Sequence, residues 1–337
     1  MENFIDHITI SNFKSIRNLK LEGLSRINLL IGKPNVGKSN ILEAFGVFSL
    51  PYLKNNSSKV ISNIIRAENK AELFFNGLIN NDIRVETNIG NYIGTITQSL
   101  NSDKIIWSTN FSIIIRAYST AYILNFDKNL KFTIQEENYV PPIIKYYNFR
   151  TYRKGKKSIF SFLLPPFGNN ILSVIEEYPD LKEEIKSLFN EYKLELVFDR
   201  ASQELKISKP PQNGEIFLIP YNSIADTLQR IIFYKTAIAS NQNSVLIFEE
   251  PEAHAFPPYI VHITQEIIDA KSNQFILSTH SPYVLDYFLE NARDELSIFM
   301  VDYKNGETVA NKLTKEDMDD IYGYGIDLFT NYETFLK

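Results

Sequence analysis

Residues 27–40 read Ile-Asn-Leu-Leu-Ile-Gly-Lys-Pro-Asn-Val-Gly-Lys-Ser-Asn. An apolar strand runs straight into Gly32-x-x-x-x-Gly37-Lys38-Ser39, and a helix-forming run, Ile41 to Phe45, comes immediately after. Glycines let the backbone turn tightly and aim several N–H groups at one anion. The start of the helix adds its partial positive charge at the same place. Lys38 has the reach for the outer phosphates of a nucleotide, and the Ser39 hydroxyl can ligate Mg²⁺. Gly32, Asn35, Val36, Gly37, Lys38, Ser39 and Asn40 are therefore the candidate phosphate cradle.

A second set of reactive side chains ends two further apolar strands. Ser244–Phe248 leads into Glu249-Glu250-Pro251-Glu252-Ala253-His254, and Gln274–Ser278 leads into Thr279-His280-Ser281-Pro282. Ligands of an α/β sheet sit beyond the carboxyl ends of its strands, so one surface can collect the loop, both acids and the histidine. Glu249 offers a hard oxygen to a metal beside Ser39. Glu250 is placed to take a proton from an attacking water. His280 can hydrogen-bond the terminal phosphate or that water. With these groups on one edge, the expected ligands are ATP and Mg²⁺ and the expected chemistry is hydrolysis, with Lys38, Glu250 and His280 catalytic and Ser39 and Glu249 on the metal.

Bulk properties narrow the alternatives. There is no cysteine, which excludes disulfides, thiolate zinc sites and thiol catalysis, and only four histidines argue against a His-rich metal site. Net charge is −5, so any nucleic-acid contact needs a local basic patch. Lys145–Lys157 is such a patch, with six cations, four aromatics and no acid. It reads either as a contact for a nucleic-acid backbone or acidic partner, or as a solvated loop whose tyrosines pack underneath. No apolar run is long enough to span a membrane and the start lacks signal-peptide character, which predicts a cytoplasmic protein with no membrane partner.

The elements that must position these groups are set by periodicity. Short strands are predicted at Ile5–Ile10, Leu19–Leu21 and Ile27–Ile31, with Asn12–Ser15 as a turn carrying a cation. From Glu72 to about Val140, period-two alternation predicts an antiparallel sheet, closed by Pro141-Pro142. Residues 170–193 read as helix broken at Pro179, with a small meander after it. Ile224–Ala239 and the run after Pro257-Pro258 read as helices, Leu296–Tyr303 and Thr308–Lys312 as a hairpin across Asn305-Gly306, and 314–337 as one or two helices. The predicted fold class is α/β, a P-loop NTPase with an antiparallel β-subdomain and a small α/β insertion. Its expected division is 1–150, 151–220 and 221–337. A helical stretch of about twelve residues in the insertion cannot sustain the heptads of a long coiled-coil arm.

The set Gly32–Ser39, Glu249–His254 and Ser278–Pro282, with the opening Ile8-Thr-Ile-Ser-Asn-Phe-Lys-Ser-Ile16, resembles the ABC-type ATPase heads of RecF, SMC and OLD proteins. The resemblance implies that Lys38 and Ser39 hold phosphate and Mg²⁺, that Glu249 supports the metal, that Glu250 is the general base, and that His280 is the γ-phosphate switch. It places Glu252 and His254 where the family's D-loop crosses a dimer interface. Three departures stand out. Glu249 replaces the usual Asp, no glutamine marks the glutamine loop near Tyr147-Asn148-Phe149, and Asn222–Arg230 lacks the signature motif's glycine pair. Ser223 or Asp226 is expected to cap that helix and face the partner's nucleotide.

The resemblance further implies an ATP-induced homodimer. Only 55 residues come after Pro282, with no Asp-x-Asp metal motif after a strand, so effector activity is expected in a separate chain such as a nuclease or toxin, with bacterial antiphage defence as the leading context. Two other readings stay open. One is a nucleotide-dependent scaffold or sensor with little turnover, and the other is a DNA-repair ATPase binding nucleic acid through 145–157. A P-loop kinase has no use for Glu249-Glu250 with His280.

Overall fold

The computed structural model describes residues 4–336 apart from 56–58, 102–105, 118–119, 137, 152–154, 156, 191, 203 and 210–214. In chain order the elements are β1 (His7–Phe13), β2 (Ile16–Glu22), β3 (Ile27–Ile31), α1 (Lys38–Gly46), β4 (Ile83–Thr87), β5 (Gly90–Asn101), β6 (Ile106–Ala117), β7 (Thr120–Phe126), β8 (Phe132–Glu136) and β9 (Ile144–Tyr147). Then come α2 (Ile171–Glu177), α3 (Pro179–Asn190), β10 (Glu195–Asp199), β11 (Glu204–Ser208), β12 (Leu218–Pro220), α4 (Asp226–Ala239), β13 (Val245–Glu249), α5 (Pro257–Asp269), β14 (Gln274–Ser278), α6 (Pro282–Asn291), β15 (Leu296–Lys304), β16 (Glu307–Lys312) and α7 (Lys315–Tyr324).

Contacts divide the chain into two compact units. One comprises Met1–Tyr146, Asn243–Glu250 and Asn273–Lys337, and the other comprises Tyr147–Gln242 and Pro251–Ser272. The first unit holds an antiparallel seven-stranded sheet of order β2-β1-β4-β5-β6-β7-β8. The six-stranded sheet has the order β16-β15-β3-β14-β13-β9, with β15, β3, β14 and β13 parallel. Their residues explain the difference. β3 and β14 are buried at all five positions, as strands covered on both faces must be, whereas β4 and β7 alternate buried with exposed residues. Ile10, Phe45, Val85, Leu124 and Ile276 belong to one continuous core in this unit. The second unit contains α2 to α5 with the small antiparallel sheet β10-β11-β12. Pro179 breaks the helical stretch where the sequence predicts, since its ring removes a donor and crowds the preceding turn.

Two expectations need correction. The first concerns the basic patch: past Pro141-Pro142, which follow the last strand of the seven-stranded sheet as expected, the chain enters the six-stranded sheet as β9, beside β13. The first residues of the basic patch are therefore core: Lys145, Tyr146 and Tyr147 are buried. In β9 all four residues are buried, a pattern the mixed composition of the stretch conceals. Burial draws the Lys145 ammonium down to about 7. Arg150 stacks on Phe167, 3.8 Å from the ring centroid. Tyr152, Arg153, Lys154 and Lys156 lie outside the described residues. The second correction concerns α4. Its N-cap is Ala225, without a side-chain cap, while Asp226 pairs with Arg230 one turn on. Neither Ser223 nor Asp226 caps it. Among the described residues no helix is long and apolar enough to cross a membrane.

Candidate functional site

The carboxyl ends of β3, β13 and β14 are adjacent because these three strands pair in parallel and in register. The residues just beyond each strand are thereby delivered to one place. A cavity of about 410 Å³ opens there, within the first unit. Its wall includes Asn35, Gly37, Lys38, Ser39, Asn40, Glu249, Glu250 and His280, so the three separated sequence motifs converge.

The loop's shape rests on a few backbone positions. Asn35 and Gly37 take left-handed conformations, at φ 64° and 103°. Asparagine tolerates that region and glycine has no Cβ to oppose it. At Gly37 a Cβ would come within 2.0 Å of Thr308 Oγ1, so the neighbouring strand also demands glycine. Thr308, fully buried, donates to the Val36 carbonyl at 2.9 Å and shares a 2.6 Å hydrogen bond with Ser15. Asn40 Nδ2 donates to the same Ser15 hydroxyl at 2.6 Å. Thr308 and Ser15 thus brace the loop at Val36 and Asn40. Past Gly37 the first amides of α1 have no acceptor within the helix and no side-chain cap, which leaves them for an anion.

Lys38 Nζ donates to the Gly32 and Lys33 carbonyls, at 2.7 and 2.9 Å. Desolvation lowers its pKa to about 8, against the opposing pull of Glu250 and Glu249. Ser39 Oγ donates to Glu249 Oε1 at 2.5 Å. Glu250, at φ 44°, occupies a backbone region that L side chains avoid, and its N–H donates to Ser278 O at 3.1 Å. That turn separates the two consecutive acids, Glu249 towards Ser39 and Glu250 towards His280, whose Nε2 lies 3.5 Å from Glu250 Oε1. Burial first, and the Lys38 charge second, lower the His280 pKa, with Glu250 opposing.

The donor set suits a magnesium nucleotide. Ser39 and Glu249 supply hard oxygens, and the amides of α1 with the cations Lys14, Lys38 and Arg66 face the cavity. Four contributors escape a reading of the sequence. Glu43 is fully buried on α1 and binds Lys14 Nζ at 2.5 Å and Arg66 Nε at 2.9 Å. Arg66 Nη2 also reaches Glu249 Oε1 at 2.5 Å. Tyr146 OH donates to Glu249 Oε2 at 3.2 Å. Burial, then the charges of Glu249 and Glu43, raise the Tyr146 pKa well above the ordinary value, so the phenol remains a donor. The one available signal is the lone carboxylate inside Ile41-Leu42-Glu43-Ala44-Phe45. Ser223 lies in the second unit, ending the turn Tyr221–Ser223. In that unit Thr227 Oγ1 donates to the His254 carbonyl at 2.8 Å, tying the first turn of α4 to the segment after the strand-end acids.

The fold is that of an AAA domain. The chain belongs to the family described as "AAA domain, putative AbiEii toxin, Type IV TA system", which matches residues 27–286. It is similar to an ATP/GTP phosphatase of Helicobacter pylori, 29% identical over 147 residues, which are 40% of this chain and 37% of that one. Similarity to the Septu protein PtuA of Bacillus mycoides is 24% identity over 339 residues, 94% of this chain and 43% of that one. The chain thus spans less than half the length of these relatives. An Smc head solved with the C-winged helix domain of ScpA shares the fold, with a TM-score of 0.51 at 16% identity, over 93% of this chain and 99% of that one.

Proposed function

We propose that this chain binds ATP with Mg²⁺ in the cavity around Lys38 and hydrolyses it. The observation that carries the reading is the convergence of Ser39, Glu249, Glu250 and His280 on one cavity, with Ser39 Oγ already 2.5 Å from the Glu249 carboxylate. Lys38 and the α1 amides hold the phosphate charge, and Glu250 takes the proton of the attacking water while neutral His280 orients that water or the terminal phosphate. When bound at Ser39 and Glu249, Mg²⁺ supplies charge neutralisation of the phosphate oxygens.

Two copies close around nucleotide, each offering the start of α4, with Ser223 or Asp226, to the other's phosphates. Glu252 and His254 belong to the same interface. Phosphate charge draws two helix N-termini together, and hydrolysis removes the link. The cycle gates a separate effector in bacterial antiphage defence, a reading supported by the similarity to PtuA. The absent glycine pair before α4 also favours a nucleotide-held scaffold with little turnover. Steady-state phosphate release separates the two, since the hydrolase turns over and the scaffold does not. Glu250→Gln should bind ATP, lose release by roughly 10²–10⁴-fold and accumulate as dimer in light scattering. A variant that binds ATP and stays monomeric overturns the dimer cycle.

A further inference from the structure

Arg66 comes just after the turn Ile61–Asn63 and joins two acids that differ in kind. Glu43 is fully buried and grips both ends of the residue. Its Oε1 accepts from Arg66 Nε at 2.9 Å and from the Arg66 amide at 3.3 Å. The Arg66 carbonyl accepts from Lys14 Nζ at 3.0 Å, and Lys14 is itself held by Glu43. The base of the arginine is therefore fixed. Its outer end is different. Nη2 lies 2.5 Å from Glu249 Oε1, on a side chain that is 63% exposed and faces the cavity.

Glu249 Oε1 is also the atom that Ser39 Oγ addresses, so it is the oxygen a metal shared with Ser39 would take. A divalent cation and a guanidinium cannot both sit against one carboxylate oxygen without strong repulsion at such separations. A guanidinium anchored through Nε presents its outer N–H groups in a fixed planar fork, and that fork matches phosphate as well as carboxylate.

We infer that Arg66 is an exchangeable counter-ion: it neutralises Glu249 until a metal takes that carboxylate, and then pairs with the phosphates of the bound nucleotide. Metal and nucleotide thereby enter the site as a pair, since a metal alone displaces Arg66 with no anion to receive it. The inference rests on the nucleotide reading for its second half only, because competition for Glu249 is a property of the protein and metal.

The test uses Mn²⁺ as the metal probe, monitored by electron paramagnetic resonance without nucleotide, and a fluorescent ATP analogue titrated at saturating Mg²⁺. Arg66→Ala should bind Mn²⁺ at least several-fold tighter than the unaltered protein, and the analogue at saturating Mg²⁺ about tenfold more weakly, the worth of a charge-assisted pair. Arg66→Lys, which retains charge without the fork, should fall between in both measurements and serves if Arg66→Ala does not fold. Adding Ser39→Ala to Arg66→Ala should cancel the gain in Mn²⁺ affinity. Mn²⁺ binding unchanged or weakened by both Arg66 variants overturns the counter-ion role. Analogue binding at saturating Mg²⁺ unaltered by them overturns the transfer to phosphate. If the unaltered protein binds no analogue at all, the nucleotide reading itself fails, and the Mn²⁺ comparison still decides the competition.

Discussion

Ser39 and Arg66 meet on one oxygen: the hydroxyl and the guanidinium each lie 2.5 Å from Glu249 Oε1. A serine on the phosphate loop and a cation 27 positions further on thus share the acid that ends β13. With Tyr146 on its second oxygen, Glu249 is fixed by three donors from three parts of the chain.

Replacing Ser39 with alanine separates metal from phosphate binding. Ser39→Ala removes one hard ligand and leaves Glu249 paired with Arg66. The Mg²⁺-dependent part of ATP affinity should fall on the order of tenfold or more, while affinity in EDTA is kept. Titration of a fluorescent ATP analogue with and without Mg²⁺ reads both quantities. An equal loss in the two conditions would exclude a metal role for Ser39.

Glu43 supports the site from inside the core. Glu43→Ala leaves Lys14 and Arg66 facing a buried pocket without their acid, and should cost on the order of 3 kcal/mol of stability. Glu43→Gln keeps the shape and one acceptor and should cost less. Denaturant midpoints of the two variants against the parent decide this, and equal midpoints for all three would show the pair contributes nothing.

Thr308 lies far from the loop in sequence and braces it in space. Thr308→Val preserves volume but leaves the Val36 carbonyl and the Ser15 hydroxyl short of a buried partner, for about 1–3 kcal/mol. Nucleotide affinity should weaken together with stability, because Val36 carries the loop. Thermal melts and analogue titration provide the two readouts, and a stable variant with intact affinity would remove the brace.

Lys145 gives a pH dependence with a definite sign. Its pKa drops from 10.5 to about 7 on burial. Between those values the unfolded chain holds the proton that the folded chain has lost, so this residue's contribution to stability rises with pH through that window. Below it, the buried charge destabilises in full. Lys145→Met should therefore raise the melting temperature more at about pH 6 than at about pH 10. Scanning calorimetry at both values checks the difference, and an equal gain at both ends would contradict it.

Much of the site was legible because its groups sit in local patterns. Gly37-Lys38-Ser39 announces itself through the strand before it and the helix after it. Glu249 stands directly after an apolar run and His280 two residues beyond the strand Gln274–Ser278, and such strands end where ligands bind. The basic stretch from Lys145 misled for the converse reason. Its first three residues are buried in a strand, although their composition resembles a solvated loop. The start of α4 was legible as a helix but not in its cap, which falls on Ala225 and uses no side chain.

By itself the sequence determined the phosphate loop, the strand-end acids, the histidine and the α/β class, since each is set by spacing within a dozen or so residues. Only the tertiary structure decided that buried Glu43 anchors Arg66 beside Glu249, that Tyr146 donates to Glu249, and that Thr308 braces the loop. These pairings join residues 23 to 272 positions apart. No periodicity encodes them, because they arise where strands from distant parts of the chain pair and their side chains converge.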